Sequence, residues 1–587
     1  MGWRRENNVK NNSGQGKQNF IQWRFGLMCV GITLILAVLL MRIAWLQVIK
    51  PDNLVAQENM RSLRVEQTPI PRGMITDRNG QPLAVSVPVD AVWADPYEVA
   101  QKGGVENSSR WQALAQTVNM PFNELAERIN HDPHMRFIYL GRQIEPNVAD
   151  YVKQLKLPGI YCKDESRRFY PAGETAANLV GFTNIDDQGI EGVEKSFNRL
   201  LTGVAGQRVV RKDRFGRVVE TLSSTDSSPA HNVALSIDLR LQRITEEALS
   251  NAVAFNKADS GASVLVDVNT GEILALANYP TFNPNNRTGA QEDDFRNRAI
   301  SDIFEPGSTV KPMVVMTALK QGIVKPDSLL DTHPYTLSGH LIRDVAFYPQ
   351  LTLTGILQKS SDVGVSRMAL AMPITALLKT YLAFGLGQPT DLGLTGESSG
   401  LMPHRQRWSE LDRATFSFGY GLMVTPVQLA RVYATIASDG IYRPLSITRI
   451  DPPVVGQRVM EEGLVHEVKH MMESVALPGG GGIKAAVRGY RVAVKTGTAK
   501  KIGPDGQYID KYIAYTAGIA PASRPRFALV VVINNPQGGK YYGGAVSAPV
   551  FSTIMSEVLR TMNVEPDALP EDNNRIVVAS KTDNHPS

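Results

Sequence analysis

The sequence predicts an α+β protein with a single N-terminal membrane-spanning helix, a mixed domain, and a larger domain in which helices flank a central antiparallel sheet. Three observations lead to this prediction. An uncharged apolar run occupies residues 25–41, the 587-residue chain is too long for one ordinary domain, and helical patterns precede, separate and follow strand patterns in its second half.

The composition is that of a globular protein, with 43% hydrophobic and 20% charged residues. The net charge is +5, and the first 24 residues hold most of it, with five basic residues against one glutamate. A nearly neutral folded body argues against a general nucleic-acid binder. The two cysteines, Cys29 and Cys162, lie too far apart in the chain for a disulfide framework, and so few cysteines fit an exported protein.

The N-terminal region predicts a membrane anchor. Residues 1–24 are polar and basic and indicate a disordered cytoplasmic tail, and residues 25–46 indicate a transmembrane helix that continues past a snorkelling Arg42 to an interfacial Trp45. The run lacks the small-residue cleavage motif of a signal peptide, so we expect it to be retained. The basic tail places the N-terminus in the cytoplasm and the rest of the chain across the membrane.

Residues 50–230 form the predicted mixed domain, and helical spacing runs from Trp111 to Arg128. Three charged residues, Arg72, Asp77 and Arg78, follow a proline pair. They have the chemistry of a catalytic group, but a structural ion-pair network at a domain junction is the favoured interpretation.

Residues 223–231 are rich in Ser, Asp and Pro and predict a linker before a second domain, residues 234–564. This domain opens with a helix capped by Ser236, followed by a hairpin that turns at residues 269–271. Further strands are predicted at Arg491–Val494, Tyr515–Ala520 and Phe527–Ile533, with a closing helix at Pro549–Met562. Residues 565–587 are polar and predict a flexible tail.

A serine and a lysine suggest nucleophilic chemistry in this second domain. Ser308 follows Pro306 and Gly307 at the start of an apolar helical run, where backbone N–H groups and the helix dipole favour a developing anion. Lys311 lies three residues on, on the same helix face, and a lysine of lowered pKa can take a serine proton. This pair alone is weak, because a capped surface helix has the same pattern.

Two later motifs complete a recognisable set, Ser360-Ser361-Asp362 and Lys495-Thr496-Gly497-Thr498. With Ser-x-x-Lys they resemble the class B penicillin-binding proteins, and the contexts look most similar to the division-specific, FtsI-type members. The resemblance covers most of the exported chain. Further matching segments are Arg72–Gly80, Arg298, Glu305-Pro306-Gly307 and Ser417–Gly421.

The resemblance implies an elongated non-catalytic pedestal at 50–230 and a penicillin-binding transpeptidase domain at 234–564. Ser308 would attack the bond between two D-alanines of a peptidoglycan stem peptide, and a neighbouring amine would resolve the acyl-enzyme into a 4→3 cross-link. Lys311 would act as the base, Ser360 as a proton relay and Lys495 as a source of positive potential. β-Lactams would acylate the same serine, and no cofactor or metal is expected.

The family pattern also implies a substrate-binding strand. Thr496 and Thr498 would bind the substrate carboxylate, and Gly497 would let the substrate lie along the strand as an added strand. The backbone N–H groups of Ser308 and Thr498 would form the oxyanion hole.

One residue of the substrate-binding group departs from the family pattern, since Asp362 stands where asparagine is usual. An ionised carboxylate only accepts hydrogen bonds, and beside Lys311 it favours the charged lysine, which cannot take a proton. The hypothesis is therefore a specialised paralogue that is less active at neutral pH and works relatively better in acid. Nearby lysines oppose protonation of Asp362, and simple tolerance of the change is the alternative.

The resemblance further implies a location and partners. The protein would be anchored by one helix in the bacterial inner membrane, with its catalytic domain in the periplasm, and would act in septal cell-wall synthesis. Expected partners are peptidoglycan stem peptides of lipid II-derived nascent glycan, β-lactam antibiotics, a SEDS-type glycosyltransferase and other divisome membrane proteins. Nucleic acid is not expected.

Other functions stay open at this stage. A β-lactamase would need a deacylating water and base, a scaffold or β-lactam sensor would use a weakened site, and an elongation-specific class B enzyme is a near neighbour. A His-Glu-x-x-His match at His466–His470 lacks a third zinc ligand and is interpreted as a solvated helix. The Gly479–Gly482 run predicts a flexible loop near the site rather than a phosphate loop.

Overall fold

The computed structural model describes residues 15–45, 63–68, 70–204, 206–212, 218–225 and 228–568. The chain divides into two compact units, one formed by residues 1–70 with 204–229 and the other by residues 71–203 with 230–587. Residues 1–14 of the predicted N-terminal tail, residues 46–62, and residues 569–587 of the predicted C-terminal tail lie outside the described residues.

The first unit contains the predicted anchor. Helix α1 spans Gln15–Ala44, and its 22 residues from Trp23 to Ala44 are long and apolar enough to cross a membrane. The helix begins before the apolar run, so the prediction of an irregular tail is wrong for residues 15–24. Once an apolar segment has nucleated a helix, each added residue gains a hydrogen bond, and this stretch has no proline to stop it.

The same unit holds a three-stranded antiparallel sheet in the order β1-β6-β7. Its strands are β1 (Leu63–Thr68), β6 (Gly206–Lys212) and β7 (Val218–Thr225). Strand β7 includes residues 223–225, so the predicted linker is a strand at its beginning.

The pedestal part of the second unit is built on a sheet in the order β4-β3-β2-β8, with β5 also paired to β3. All of these pairs are antiparallel except the parallel pair of β2 and β8. The strands are β2 (Ile75–Thr76), β3 (Pro82–Ala94), β4 (Ile138–Ile144), β5 (Ile160–Phe169) and β8 (Val233–Ala234).

Short helices cover this pedestal sheet. They are α2 (Pro96–Gln101), α3 (Ser109–Thr117), α4 (Phe122–Asn130), α5 (Pro146–Gln154), α6 (Ala177–Val180), α7 (Gly192–Ser196) and α8 (Asn198–Thr202). The helical spacing predicted from Trp111 to Arg128 is confirmed, but it belongs to two helices. Pro121 takes the N-cap position of α4, because a proline is tolerated at a helix start but not in its interior. Trp111, Leu114 and Leu125 enter the pedestal core.

The predicted charge network is present in the pedestal. Glu194 is completely buried and receives Arg72 Nε at 2.7 Å and Arg168 Nε at 2.6 Å, and both arginines are buried. Arg72 also donates to the carbonyl oxygen of Asp187 at 2.8 Å. The structural interpretation of Arg72 is therefore confirmed.

Asp77 and Arg78 join the pedestal to the following domain. Arg78 pairs with the buried Glu272 at 3.1 Å. Asp77 accepts hydrogen bonds from the backbone N–H groups of Asn79 and Gln81, each at 2.8 Å, and of Leu239 at 3.1 Å. Arg78 thus forms the predicted junction ion pair, whereas Asp77 binds backbone groups rather than an arginine.

The larger domain is organised around a five-stranded antiparallel sheet in the order β10-β9-β19-β18-β17. Its strands are β9 (Ser260–Asp267), β10 (Ile273–Tyr279), β17 (Ala493–Ile502), β18 (Tyr508–Ala520) and β19 (Phe527–Asn534). The hairpin, the later strands and the α+β class are confirmed. Three two-stranded pairs lie outside this sheet: β11 (Leu329–Asp331) with β14 (Gln350–Thr352), β12 (Tyr335–Leu337) with β13 (His340–Ile342), and β15 (Ile441–Tyr442) with β16 (Gln457–Arg458).

Helices cover both faces of the central sheet. On β19, Leu529 and Val531 pack with α9 (Leu239–Phe255) and α19 (Ala548–Thr561), whereas Ala528 and Val530 belong to the core that contains α16 (Pro426–Ala437). Because both faces are covered, β19 reads as a continuous apolar run without polar alternation. The other helices are α10 (Arg298–Ser301), α11 (Lys311–Lys320), α12 (Leu353–Lys359), α13 (Asp362–Ala371), α14 (Ile374–Ala383), α15 (Glu410–Ser417), α17 (Glu462–Glu473) and α18 (Gly543–Val546).

Two sequence expectations differ from this structure. Ser236 does not cap α9, since its hydroxyl donates to the carbonyl oxygen of Ile273 at 2.7 Å and Asp238 caps the helix instead. The predicted flexible tail is ordered at Asp567, whose carboxylate accepts from the backbone N–H of Arg491 at 2.7 Å. In both cases a partner distant in sequence determines the local structure.

Candidate active site

The turn that carries Ser308 is a 3-10 helix, Gly307–Val310, which leads directly into α11. Gly307 has a φ of +48°, and its N–H donates to the carbonyl oxygen of Gly419 at 3.3 Å. The hydroxyl of the buried Tyr515 donates to the carbonyl oxygen of Glu305 at 2.9 Å. The glycine permits the left-handed backbone, and these two hydrogen bonds fix the turn, leaving Ser308 half-buried.

Lys311 is the first residue of α11, and its side chain is completely buried. Its Nζ donates to the carbonyl oxygen of Ser360 at 2.6 Å, to Ser360 Oγ at 3.2 Å and to Asp362 Oδ1 at 2.6 Å. Among the residues that the structure describes, no hydrogen bond joins Lys311 to the Ser308 hydroxyl. In this state Lys311 is directed toward the Ser360–Asp362 segment.

The Ser360–Asp362 segment links α12 to α13. Ser360 has a left-handed φ of +58°, which turns its carbonyl and hydroxyl groups toward Lys311. Ser361 caps α13, and its hydroxyl accepts from the N–H of Gly364 at 2.9 Å. Asp362 is the first helical residue, and its side chain is 36% exposed, so the ion pair with Lys311 faces solvent on one side.

Lys495 lies on strand β17 and contacts Ser360, the serine that Lys311 also contacts. Its buried Nζ donates to Ser360 Oγ at 2.9 Å and to the carbonyl oxygen of Thr496 at 3.1 Å. Burial, and then the charge of Lys311, lower the pKa of Lys495 well below its usual value, while Asp362 opposes this shift. The Ser360 hydroxyl is therefore the point where the two lysines meet.

The strand that carries Lys495 is an edge strand of the central sheet, so its outer edge has backbone groups available to a further strand. Gly497 lies opposite Tyr515, and a Cβ at this position would stand 2.0 Å from the tyrosine ring. Thr496 and Thr498 are half-buried, and Thr498 Oγ1 accepts from the N–H of Gly543 at 3.0 Å. Glycine is required here by the packing of Tyr515.

The sequence-predicted site residues are thus brought together, and two further carboxylates, which the sequence motifs did not indicate as site residues, support them. Asp344 receives the Ser361 hydroxyl at 2.5 Å and the N–H of Val363 at 2.9 Å. Glu305 is buried and accepts the Tyr508 hydroxyl at 2.9 Å and the N–H of Gly421 at 2.9 Å. No local pattern marks Asp344, whereas Glu305 and Gly421 belong to the segments Glu305-Pro306-Gly307 and Ser417–Gly421 that carry the family resemblance.

Two motifs that are not assigned to the catalytic site are the His466–His470 segment and the Gly479–Gly482 run. His466 and His470 are exposed on α17, and His470 Nδ1 lies 2.9 Å from Glu473. Within the described part of the chain, no group of three or more His, Cys, Asp or Glu side chains could hold a metal ion. The prediction of a solvated helix holds for this face of α17, whereas the opposite face is buried. Gly482 lies next to Thr496, near the site as predicted.

Comparison with known proteins shows the family to which the chain belongs. Residues 261–556 match the penicillin-binding protein transpeptidase domain, and residues 67–235 match the penicillin-binding protein dimerisation domain. The chain is 67% identical over 561 residues, or 95% of both chains, to a protein of Escherichia coli strain K12 named peptidoglycan D,D-transpeptidase FtsI. The chain belongs to the FtsI-type class B penicillin-binding proteins.

Solved structures similar to this class B penicillin-binding protein support the fold. A peptidoglycan synthetase from Bifidobacterium adolescentis has a TM-score of 0.69 at 28% identity, over 87% of this chain and 98% of that chain. The transpeptidase domain of penicillin-binding protein 3 from Burkholderia pseudomallei has a TM-score of 0.53 at 39% identity, over 57% of this chain and 98% of that chain.

Proposed function

We propose that this class B penicillin-binding protein is a serine-type peptidoglycan D,D-transpeptidase that forms 4→3 cross-links during septal cell-wall synthesis and is acylated by β-lactams. The observation that carries the proposal is the convergence of Lys311 and Lys495 on the Ser360 hydroxyl, at 3.2 and 2.9 Å, beside the turn that carries Ser308. The family membership supports the same reaction.

Ser308 Oγ attacks the carbonyl carbon between the two terminal D-alanines, and its proton passes to a neutral Lys311. The tetrahedral intermediate collapses, the C–N bond breaks, and the leaving D-alanine takes a proton through Ser360. An amine of a second stem peptide then attacks the ester carbonyl, loses a proton to the same relay and releases Ser308. A neutral Lys311 has only two N–H groups, so it must give up one of its three present donations, such as that to Asp362, to accept the first proton.

Lys495, Thr496 and Thr498 would bind the substrate carboxylate, and the substrate would extend along the free edge of β17 at Gly497. The backbone N–H groups of Ser308 and Thr498 would hold the oxyanion, a contribution of about 10²–10³ in rate for each donor. The lowered pKa of Lys495 follows from its burial, and an incoming carboxylate would favour its charged form.

The test is labelling of the full-length protein with a fluorescent penicillin. Replacing the nucleophile in Ser308→Ala should abolish the covalent label, while Ser250→Ala, a control on α9, should keep it. A label retained by Ser308→Ala would refute the assignment of the nucleophile. Release of D-alanine from a stem pentapeptide, with transfer to an added amine, then tests cross-linking.

The anchor helix supports a single-pass protein of the inner membrane, with the N-terminus in the cytoplasm and both domains in the periplasm. A reporter that is active only in the periplasm, fused after residue 568, tests this orientation. The proposed partners are a SEDS-type glycosyltransferase and other divisome membrane proteins, which cross-linking from the anchor helix would test.

A second candidate function is a weakly active β-lactam-binding scaffold or sensor, and the 2.6 Å pair of Lys311 with Asp362 favours it. A charged lysine held by a carboxylate is a poor base. Stoichiometric labelling without D-alanine release would support the scaffold, and rapid turnover of nitrocefin would indicate a β-lactamase. Rescue of elongation rather than division in depleted cells would indicate an elongation-specific enzyme.

A further inference from the structure

A cleft of about 720 Å³ lies in the second unit, away from the catalytic residues. The end of β5 and the loop at residues 183–185 form its pedestal side, and the loop at residues 284–288 forms its transpeptidase side. Its lining includes arginine, asparagine, glutamine and threonine side chains but no aspartate or glutamate.

Two of the lining arginines are available to a ligand. Arg167 is half-buried, and its guanidinium has no hydrogen-bond or ion-pair partner among the described residues. Arg287 is exposed, and its guanidinium lies 4.2 Å from the centre of the Phe182 ring and donates to the carbonyl oxygen of Pro284 at 3.1 Å. It pairs with no carboxylate in the described part of the chain.

The surroundings do not neutralise these two charges. Glu165 and Asp186, which are close in sequence, are both held by Arg142, at 2.9 and 2.8 Å. Asp187 accepts the Ser166 hydroxyl, and it does not line the cleft. Behind the cleft, the single carboxylate of Glu194 is shared by the buried guanidinium groups of Arg72 and Arg168. The charged side chains that line the cleft are therefore all arginines.

The uncharged lining fits a ligand with amide and hydroxyl groups. Asn286 Oδ1 accepts from the N–H of Thr288 at 3.2 Å, which leaves its side-chain NH₂ free to donate. Gln143 contributes a second amide, and Phe169 exposes 42% of its surface beside the arginines. A ring and planar guanidinium groups together provide an apolar face and two-point recognition of a carboxylate.

We infer that this cleft binds a second peptidoglycan strand, with Arg167 and Arg287 holding a stem-peptide carboxylate while another strand occupies the Ser308 site. The inference rests on the proposed function, because that function supplies the polymer, which carries carboxylates, N-acetyl amides and hydroxyl groups. Residues from the pedestal and from the transpeptidase domain would hold the strand jointly.

The experiment uses the full-length protein in detergent after complete acylation of Ser308 with benzylpenicillin, so that the catalytic site is closed. Fluorescent, soluble, uncross-linked peptidoglycan oligomers with pentapeptide stems are then titrated, and anisotropy is recorded. We expect binding by the wild type, about tenfold weaker binding by Arg167→Ala and by Arg287→Ala, and no change in Arg524→Ala, which removes an exposed charge elsewhere. All variants should be acylated at the wild-type rate, which also shows that they fold.

Absence of binding by the acylated wild type would overturn the inference. It would also be overturned if both single variants, Arg167→Ala and Arg287→Ala, bound the oligomers as tightly as the wild type. Displacement of the oligomers by low-millimolar orthophosphate would also overturn it, because the cleft would then be a phosphate site. Failure of acylation itself would refute the proposed function before any titration, so the two failures are distinguishable.

Discussion

At the scale of single residues, Asp362 stands where the family resemblance leads us to expect an asparagine. The carboxylate lies 2.6 Å from Lys311 Nζ and keeps that ammonium group within an ion pair. An asparagine of the same shape would keep a hydrogen bond and remove the charge. The pair therefore connects one substitution to the availability of the proposed base.

We predict that Asp362→Asn speeds penicillin acylation at pH 7–8 by about tenfold, because an adjacent opposite charge commonly shifts a protonation equilibrium by at least that factor. The specialised-paralogue hypothesis requires this gain to shrink as the pH falls toward 5. Acylation rates measured from pH 5 to 8 for both proteins test this. An unchanged pH profile would refute the specialised-paralogue hypothesis and leave Asp362 as a tolerated substitution.

Glu305 provides a pH prediction for stability. Burial raises its pKa above the ordinary value of 4.5, although hydrogen bonds from the Gly421 N–H and the Tyr508 hydroxyl oppose the shift. Because the pKa is raised in the folded state, Glu305 of the folded protein keeps its proton to a higher pH than Glu305 of the unfolded chain. The stabilising contribution is therefore complete below about pH 4.5 and is lost as the pH rises through the folded pKa.

Glu305→Gln removes this proton uptake. The Tm of the wild type minus that of Glu305→Gln should therefore fall steadily as the pH rises from about 4 to 7. Glu557→Gln, which changes a surface ion pair, is the control and should show no such trend. A Tm difference that does not vary with pH would show that Glu305 does not titrate as its burial implies.

At the scale of elements, the nucleophile turn depends on a second glycine segment. Gly419 has a φ of +88°, and a Cβ there would lie 2.2 Å from the carbonyl oxygen of Gly307 and 2.5 Å from its Cα. The backbone of the Gly307–Val310 turn and the end of α15 are thus in direct contact. A side chain at 419 would displace the turn that positions Ser308.

Accordingly, Gly419→Ala should slow penicillin acylation by about a hundredfold, the usual effect of misplacing a reacting group by about 1 Å. Gly421→Ala is a matched control, because Gly421 has a similar φ of +81° but open space around its Cα. Stopped-flow acylation of both variants separates steric displacement from backbone strain. Equal rates in the two variants would contradict a specific role for the contact with Gly307.

Sequence patterns predicted the elements whose signals are local. The turn at Asn269–Gly271 and the apolar runs of β9 and β19 predicted these strands, and the Ser-x-x-Lys spacing predicted that Ser308 and Lys311 begin one helical segment. Contacts between distant segments were not predictable. The Ser361 hydroxyl donates to Asp344, which lies in a separate loop. The Ser236 hydroxyl donates to the carbonyl oxygen of Ile273 instead of capping the helix. The ion pair of Lys311 with Asp362 also joins two separate helices, but it was expected, because the family resemblance places both motifs in one site.

At the scale of the whole molecule, Arg78 joins the pedestal to the transpeptidase domain. The guanidinium is 27% exposed, whereas Glu272 is only 1% exposed and also accepts from the N–H of Ile450 at 2.7 Å. The Arg78 N–H donates to the carbonyl oxygen of Ile237 at 2.9 Å, at the start of the second domain. A pedestal residue thus compensates a charge buried in the neighbouring domain.

Removing this compensation in Arg78→Ala should lower the free energy of unfolding by about 2–3 kcal/mol, less than for a fully buried pair because Arg78 is partly solvated. In Arg78→Ala/Glu272→Gln the buried charge is also gone, so part of the loss should be recovered. Thermal unfolding of the single and double variants, with Arg524→Ala as a control, measures the coupling. If the two effects simply add, the pair does not link the stabilities of the two domains, and the pedestal signature would act through backbone contacts such as those of Asp77 with Leu239.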